Sequence, residues 1–258
     1  MNTLFGLIKS EYRMMIGRRG PWLAYGVVFL FHSLAILQMG ESSASPLAAL
    51  GPWWAAGEIL YILNLFMPLI AGISAADRLA RDRSLKVREL QRGAPLPQGV
   101  LLAGKFLGVL AAALTPNLFF ISGIAAWAVL AGIQPALFFP SLLAGFAAIT
   151  IPAFAFVIAF SLACPLVIPI RVYQVLLTGY WFWGNYLPPD VFPTLNGTLL
   201  TPAGVYALQG FFGGRVGINM MAAYTAGEAV VNIAILLTAV FAVLALASRF
   251  LAWRERES

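Results

Sequence analysis

Charge is the scarcest commodity in this sequence. Only 10% of its 258 residues are Asp, Glu, Lys or Arg, against 61% that are hydrophobic. A water-soluble domain carries about 25% charged residues. The shortage leaves too few charges to cover a soluble surface of this size, and lipid is the remaining solvent. A single cysteine, Cys164, excludes an intrachain disulfide and leaves the redox compartment unread. A single histidine, His32, excludes the paired His/Glu zinc constellation of an intramembrane metalloenzyme. No Gly-x-Ser-x-Gly nucleophile elbow is present either. The usual marks of an enzyme are thus missing, and no resident metal or cofactor is expected in this chain.

What the sequence does have is long apolar runs, with 24 Gly, 19 Phe and 7 Trp, the residues of packed spans and interface belts. About 20 apolar residues cross the hydrocarbon core as a helix. Six such runs stand at Trp22–Met39, Trp53–Ala75, Leu101–Ala131, Phe138–Ala163, Val167–Tyr186 and Ala229–Ser248. Pro165 and Pro169 make the fifth the least regular. The fold expected is an all-α integral membrane protein with six transmembrane helices.

The net charge is +6. The basic residues follow the spans, so nucleic acid is not an expected partner. Lys9, Arg13, Arg18 and Arg19 precede the first run. Arg78, Arg81, Arg83, Lys86, Arg88, Arg92 and Lys105 lie around the loop after the second. Arg171 precedes the fifth, and Arg249, Arg254 and Arg256 follow the sixth. In a six-span arrangement all of these share one face, and only Arg215 among the 16 Lys and Arg falls on the other. Basic residues mark the cytoplasmic side. Both termini are therefore expected in the cytoplasm, with the protein in the cell membrane and bathed in its lipid.

Residues 1–21 read as a separate basic amphipathic helix. Leu4, Phe5, Ile8, Tyr12, Met15 and Ile16 share one arc of its wheel, and Lys9, Ser10 and Arg13 lie on another. Such a helix lies in the membrane interface, and Gly20-Pro21 ends it. Residues 22–248 form the transmembrane domain, and 249–258 a cytoplasmic tail. The outer loop 187–228 carries Pro188, Pro189, Pro193, Pro202, Gly210, Gly213, Gly214 and Gly217. It is too apolar for a linker and too broken for a span. Short re-entrant helices are expected there, shielded by protein or water.

The inner loop 76–100 is the most informative stretch. Arg78, Asp82 and Lys86 recur at i, i+4, as do Leu85 and Glu89, which predicts a charged helix closed by Gly93 and Pro95. A lipid-facing basic patch would account for the cations. The interleaved Asp77, Asp82 and Glu89 suit a protein-docking surface better. Gly99-x-x-x-x-Gly104-Lys105 imitates a phosphate-binding loop, but Phe106 stands where Ser or Thr would hold magnesium, and no strand precedes it. Gly104 and Gly108 are better read as close-packing positions.

The charged helix with Glu89, the turn Ala94-Pro95-Leu96-Pro97 and the following Leu102-Ala103-Gly104-Lys105 resemble the permease subunit of type-2 ATP-binding-cassette transporters. The layout is similar too: an N-terminal elbow helix, six spans, and a long outer loop before the last. The motif covers only about Ala75–Lys105, and Arg92-Gly93 departs from the apolar residues usual before the turn. The resemblance implies a permease, by family default an exporter, that pairs with a second copy or a homologous permease. It implies two separate ATPase subunits, which would hold the ATP and magnesium. Arg78, Arg81, Asp82, Arg83, Lys86, Arg88 and Glu89 would then dock the ATPase as a coupling helix.

Polar residues within the spans are candidates for a substrate path. Glu58, His32 and Asn64 stand out, because a charge at the bilayer centre costs about 2.5–3.5 kcal/mol. The bland reading of His32 and Asn64, and of Asn117 and Asn232, is hydrogen-bonded packing between helices. Two other functions remain open on the residues: a secondary carrier or channel working without an ATPase, and a membrane subunit that transports nothing.

Overall fold

Proline and glycine decide where the helices of this chain stop. The computed structural model describes residues 2–40, 51–79, 97–187, 193–214 and 224–256. Helix α1 (Asn2–Ile16) ends at Gly17. Helix α2 (Arg19–Gly40) carries Pro21 in its first turn, where a missing N–H leaves no bond unmade. Helix α3 (Pro52–Leu63) starts on a proline, a position pre-set for helical φ. Three residues later α4 (Met67–Ala75) begins, with Pro68 in its first turn, and the pair is bent by 40°.

Pro68 explains that break. It has no N–H to offer the carbonyl of Asn64 four residues back. The Tyr186 hydroxyl donates to that carbonyl instead, at 3.3 Å, and the Trp181 indole Nε1 donates to the next one, Leu65, at 2.8 Å. Helix α5 (Gln98–Leu130) follows Pro97 and runs for 33 residues with Pro116 inside it. Helix α6 (Phe138–Gly145) continues through a π turn at Phe146–Thr150 into α7 (Ile151–Ala163). Pro152 sits in the first turn of α7 and removes another donor. Within the π turn the Ile149 carbonyl accepts from Asn64 Nδ2 at 3.1 Å. The broken pair α3–α4 and the π turn are therefore joined through one asparagine.

Helix α8 (Ile170–Tyr186) starts after Pro169. The short α9 (Val205–Phe212) is bounded by Gly204 and Gly213 at φ 91° and 67°, left-handed geometry that favours glycine. Helix α10 (Ala226–Arg256) opens on a capping box. Thr225 N–H donates to Glu228 Oε2 at 2.7 Å, and Glu228 N–H donates to Thr225 Oγ1 at 3.2 Å.

Helix α7 is apolar on every side and sits at the centre, packed by α4, α5 and α10, as a helix without a polar face must. Helix α10 flanks it and leaves Val230, Phe241 and Leu246 more than half exposed. Among the described residues the structure is wholly helical. Three stretches are long and apolar enough to cross a membrane: Gln98–Leu130, Phe138–Leu166 and Ala226–Arg254. The bent pair α3–α4 makes a fourth if it is one span. These coincide with the expected third, fourth, sixth and second spans. The expected first and fifth spans fall on α2 and α8, of 22 and 17 residues, which are not among these stretches in a search of the described residues.

In the segment before the last helix, α9 packs on α3 and α10 with Val205, Tyr206, Ala207, Leu208 and Phe212 buried. The Trp53 indole holds it, donating to the Phe211 carbonyl at 2.5 Å and stacking on Phe212 at 4.8 Å. The helix is short, as expected of this segment, and it is tied to the bundle rather than loose.

Candidate functional site

Helix α1 carries one acid, Glu11, among its basic residues. Leu4, Leu7, Ile8, Glu11, Tyr12 and Met15 follow the i, i+3, i+4, i+7 rhythm of a buried stripe. An acid in such a stripe needs a buried cation. The fold supplies two. Arg78, just beyond α4, donates through Nη2 to Glu11 Oε2, and Lys105 on α5 donates through Nζ to Glu11 Oε1 at 2.5 Å. All three side chains are almost fully buried, Glu11 at 3% exposure, Arg78 at 5% and Lys105 at 3%.

The stripe docks on α5 more extensively than any other two helices meet. Two glycines allow it. A Cβ at Gly104 would stand 2.8 Å from Leu7 Cβ, and one at Gly108 would stand 2.6 Å from Glu11 Cβ and 2.7 Å from the Ile8 carbonyl. Both glycines are the close-packing positions expected from sequence, and the neighbour they admit is α1. Lys105, which imitated a phosphate-loop lysine, faces a carboxylate. A second tie lies beside the first. Arg18, between α1 and α2, forms a bidentate pair with Asp77 at 2.9 and 2.8 Å and also donates to the Ser74 carbonyl. Bidentate Arg–carboxylate pairs are the most directional of ion pairs.

These ties frame the loop between α4 and α5. Arg81, Asp82, Arg83, Lys86, Arg88 and Glu89, expected to form the docking surface, lie outside the described residues. Arg78 is described, and its side chain points inward to Glu11 instead of outward to a partner. The reason is electrostatic: a carboxylate buried at Glu11 is costly to leave unpaired, and pairing with it offsets the desolvation of the guanidinium. Glu11 is not among the site residues expected from the sequence, yet it is the group that joins Arg78 and Lys105 to α1. The signal was present, an acid in an apolar stripe of an otherwise basic helix. The expected apolar arc was offset from the true contact face, since Phe5 on that arc is 68% exposed.

The three substrate-path candidates occupy three separate environments. Glu58 is buried on α3 beneath α9, with the Cα of Gly214 turned toward its carboxylate. His32 is buried on α2, its Nδ1 2.7 Å from the Val28 carbonyl one turn back, with Phe31 edge-on at 5.8 Å. Asn64 bridges the broken helix and the π turn, as described above. Asn232 does join elements, donating to the Leu199 and Thr201 carbonyls at 2.8 and 3.1 Å. Asn117 bonds only within its own helix, to Ala113.

Among the described residues no group of three or more His, Cys, Asp or Glu is placed to hold a metal ion. The described basic residues sit on α1, at the starts of α2, α5 and α8, beyond α4, and at the end of α10. Of these, Arg18, Arg78 and Lys105 are brought together by their ties to Asp77 and Glu11, and α8 starts beside them, Gln174 donating to the Ile73 carbonyl at 3.1 Å. No protein-family model matches this chain, and no curated protein matches it.

Proposed function

We propose that this chain is the membrane permease subunit of a type-2 ATP-binding-cassette transporter. In this reading α2, the pair α3–α4, α5, the run α6–α7, α8 and α10 are six spans. Helix α1 is the elbow, and both termini are cytoplasmic. Two ATPase subunits and a second permease copy complete the transporter, which moves substrate outward by alternating access. ATP and magnesium belong to the ATPase.

The observation that supports this most is how the loop 80–96 is framed. Arg78, two residues before it, and Lys105, two turns into the helix after it, are held on the same carboxylate of α1. Flanking elements tied in this way can pass a push from a docked protein into α4, α5 and α1 together. Coupling by rigid elements that have two arrangements needs such a connection.

The test is co-purification with a cassette ATPase encoded beside this chain, for the wild type and for Arg83→Glu and Glu89→Lys. The wild type should bring the ATPase to the membrane and alter its turnover, and both variants should lose the ATPase while inserting normally. An ATPase that stays soluble and unchanged overturns the reading, as does full assembly of both variants. The broken helix α3–α4 facing a π turn favours a second reading, a carrier working alone, since discontinuous helices line carrier sites. Uptake or efflux by the purified chain in vesicles without any ATPase would select it.

A further inference from the structure

Between α2 and α5 runs an open apolar cleft of about 520 Å³, walled by Trp22, Phe29 and Ser33 on one side and Phe119, Gly123 and Trp127 on the other. Its floor is the stacked pair Phe29–Phe120, with ring centres 4.2 Å apart. The two helices make few other close approaches. Phe119 is 71% exposed, and a Cβ added at Gly26 or at Gly123 would meet nothing within 4 Å.

The stripe on α2 that lines the cleft runs through Trp22, Phe29, Ser33 and Ile36. One turn earlier, three residues before Trp22 and thus on the same face, stands Arg19. It is exposed and makes no ion pair or hydrogen bond with a described residue. Its neighbour Arg18 is fully engaged by Asp77 and Ser74. The mouth is fixed, because the Trp22 indole donates to the Ile16 carbonyl at 2.7 Å.

From Trp22 to Ile36 the cleft extends about 21 Å at 1.5 Å per residue. One leaflet of hydrocarbon is roughly 15 Å deep, half the core. A groove long enough to cross one leaflet, apolar along its floor, with an indole and an exposed guanidinium at one end, has the chemistry of one lipid molecule.

We propose that this cleft binds an anionic phospholipid from the leaflet at the basic end, its acyl chain along Phe29 and Gly123 and its phosphate at Arg19. The proposal rests on the chain being a membrane protein and not on any ATPase partner. Charge chooses the occupant: basic groups beside a span favour anionic headgroups by about 1 kcal/mol each, a factor of about five.

The experiment is native mass spectrometry of the purified full chain in mild detergent, titrated with phosphatidylglycerol and with phosphatidylcholine of identical chains. The wild type should retain phosphatidylglycerol about fivefold more strongly. Arg19→Glu should abolish that preference and leave phosphatidylcholine binding unchanged. Gly123→Trp, which fills the cleft from α5, should displace both lipids, and Ser33→Trp, which fills it from α2, should do the same. Equal retention of the two lipids by the wild type overturns the proposal. So does undiminished lipid on the two filled variants. Disulfide formation between copies carrying Phe119→Cys in native membranes also overturns it, because a second copy then covers the cleft. A chain that stays soluble without detergent fails the membrane reading itself, a distinct result.

Discussion

At the basic end of the bundle, α1, the end of α4 and the start of α5 meet on one carboxylate, Glu11, gripped by Arg78 and Lys105. Midway along the bundle, at the break between α3 and α4, the helices are joined by neutral donors alone: the Asn64 amide, the Trp181 indole and the Tyr186 hydroxyl, each on a backbone carbonyl. Both places solve the same problem, a polar group inside an apolar protein. They differ in what is left when a partner is removed. Losing the acid strands two cations, and losing a neutral donor strands one carbonyl. A full charge is expensive at the centre of a membrane and less so near its surface. The bundle places its ionic joint at a helix end and its neutral joint at mid-length, in keeping with that gradient.

The largest effect is expected from removing the shared acid. Glu11→Ala should destabilise the protein by about 3–5 kcal/mol, the range for breaking a buried ion pair from one side, read as unfolding in micelles titrated with SDS. Replacing the whole joint by Glu11→Leu, Arg78→Met and Lys105→Met should recover most of that loss, because an apolar substitute of similar volume has no buried charge to solvate. If the triple variant is as unstable as Glu11→Ala, the ionic explanation is wrong.

A smaller effect should come from crowding the same joint without touching its charges. Gly108→Ala drives a Cβ to 2.6 Å from Glu11 Cβ and should cost about 1–3 kcal/mol. Gly123→Ala, on the same helix but in open space, should be neutral or stabilising by up to about 1 kcal/mol. Equal effects of the two substitutions in the same unfolding assay would show that helix propensity, and not docking of α1, governs both.

The smallest effect belongs to the neutral joint. Tyr186→Phe deletes only the hydroxyl that donates to the Asn64 carbonyl and should cost about 0.5–1.5 kcal/mol. A loss as large as that of Glu11→Ala would erase the contrast between the two joints.

Part of this is legible in the sequence. The runs expected from Trp53, Leu101 and Val167 begin as helices at Pro52, Gln98 and Ile170, and the closeness allowed by Gly104 and Gly108 follows from their missing side chains. The identity of the neighbour does not. Gly104 and Gly108 gave no sign that α1 would be the helix admitted, and Arg78 looked like a member of an exposed basic helix. Nothing local reveals the partners of Glu11, which lie 67 and 94 residues away. Asn64 stands out as a polar residue in a span, but its role depends on the Ile149 carbonyl, 85 residues on.

By itself, then, the sequence determined the kind of solvent, the helical content and most helix ends, because composition, periodicity and the missing N–H of proline act on a residue whatever surrounds it. Only the tertiary structure decided which charges face inward, which carbonyls are rescued and by whom, and that α1 lies clamped along α5. Those outcomes depend on which distant groups packing brings within hydrogen-bond reach, and a buried charge is tolerated only where such a partner arrives.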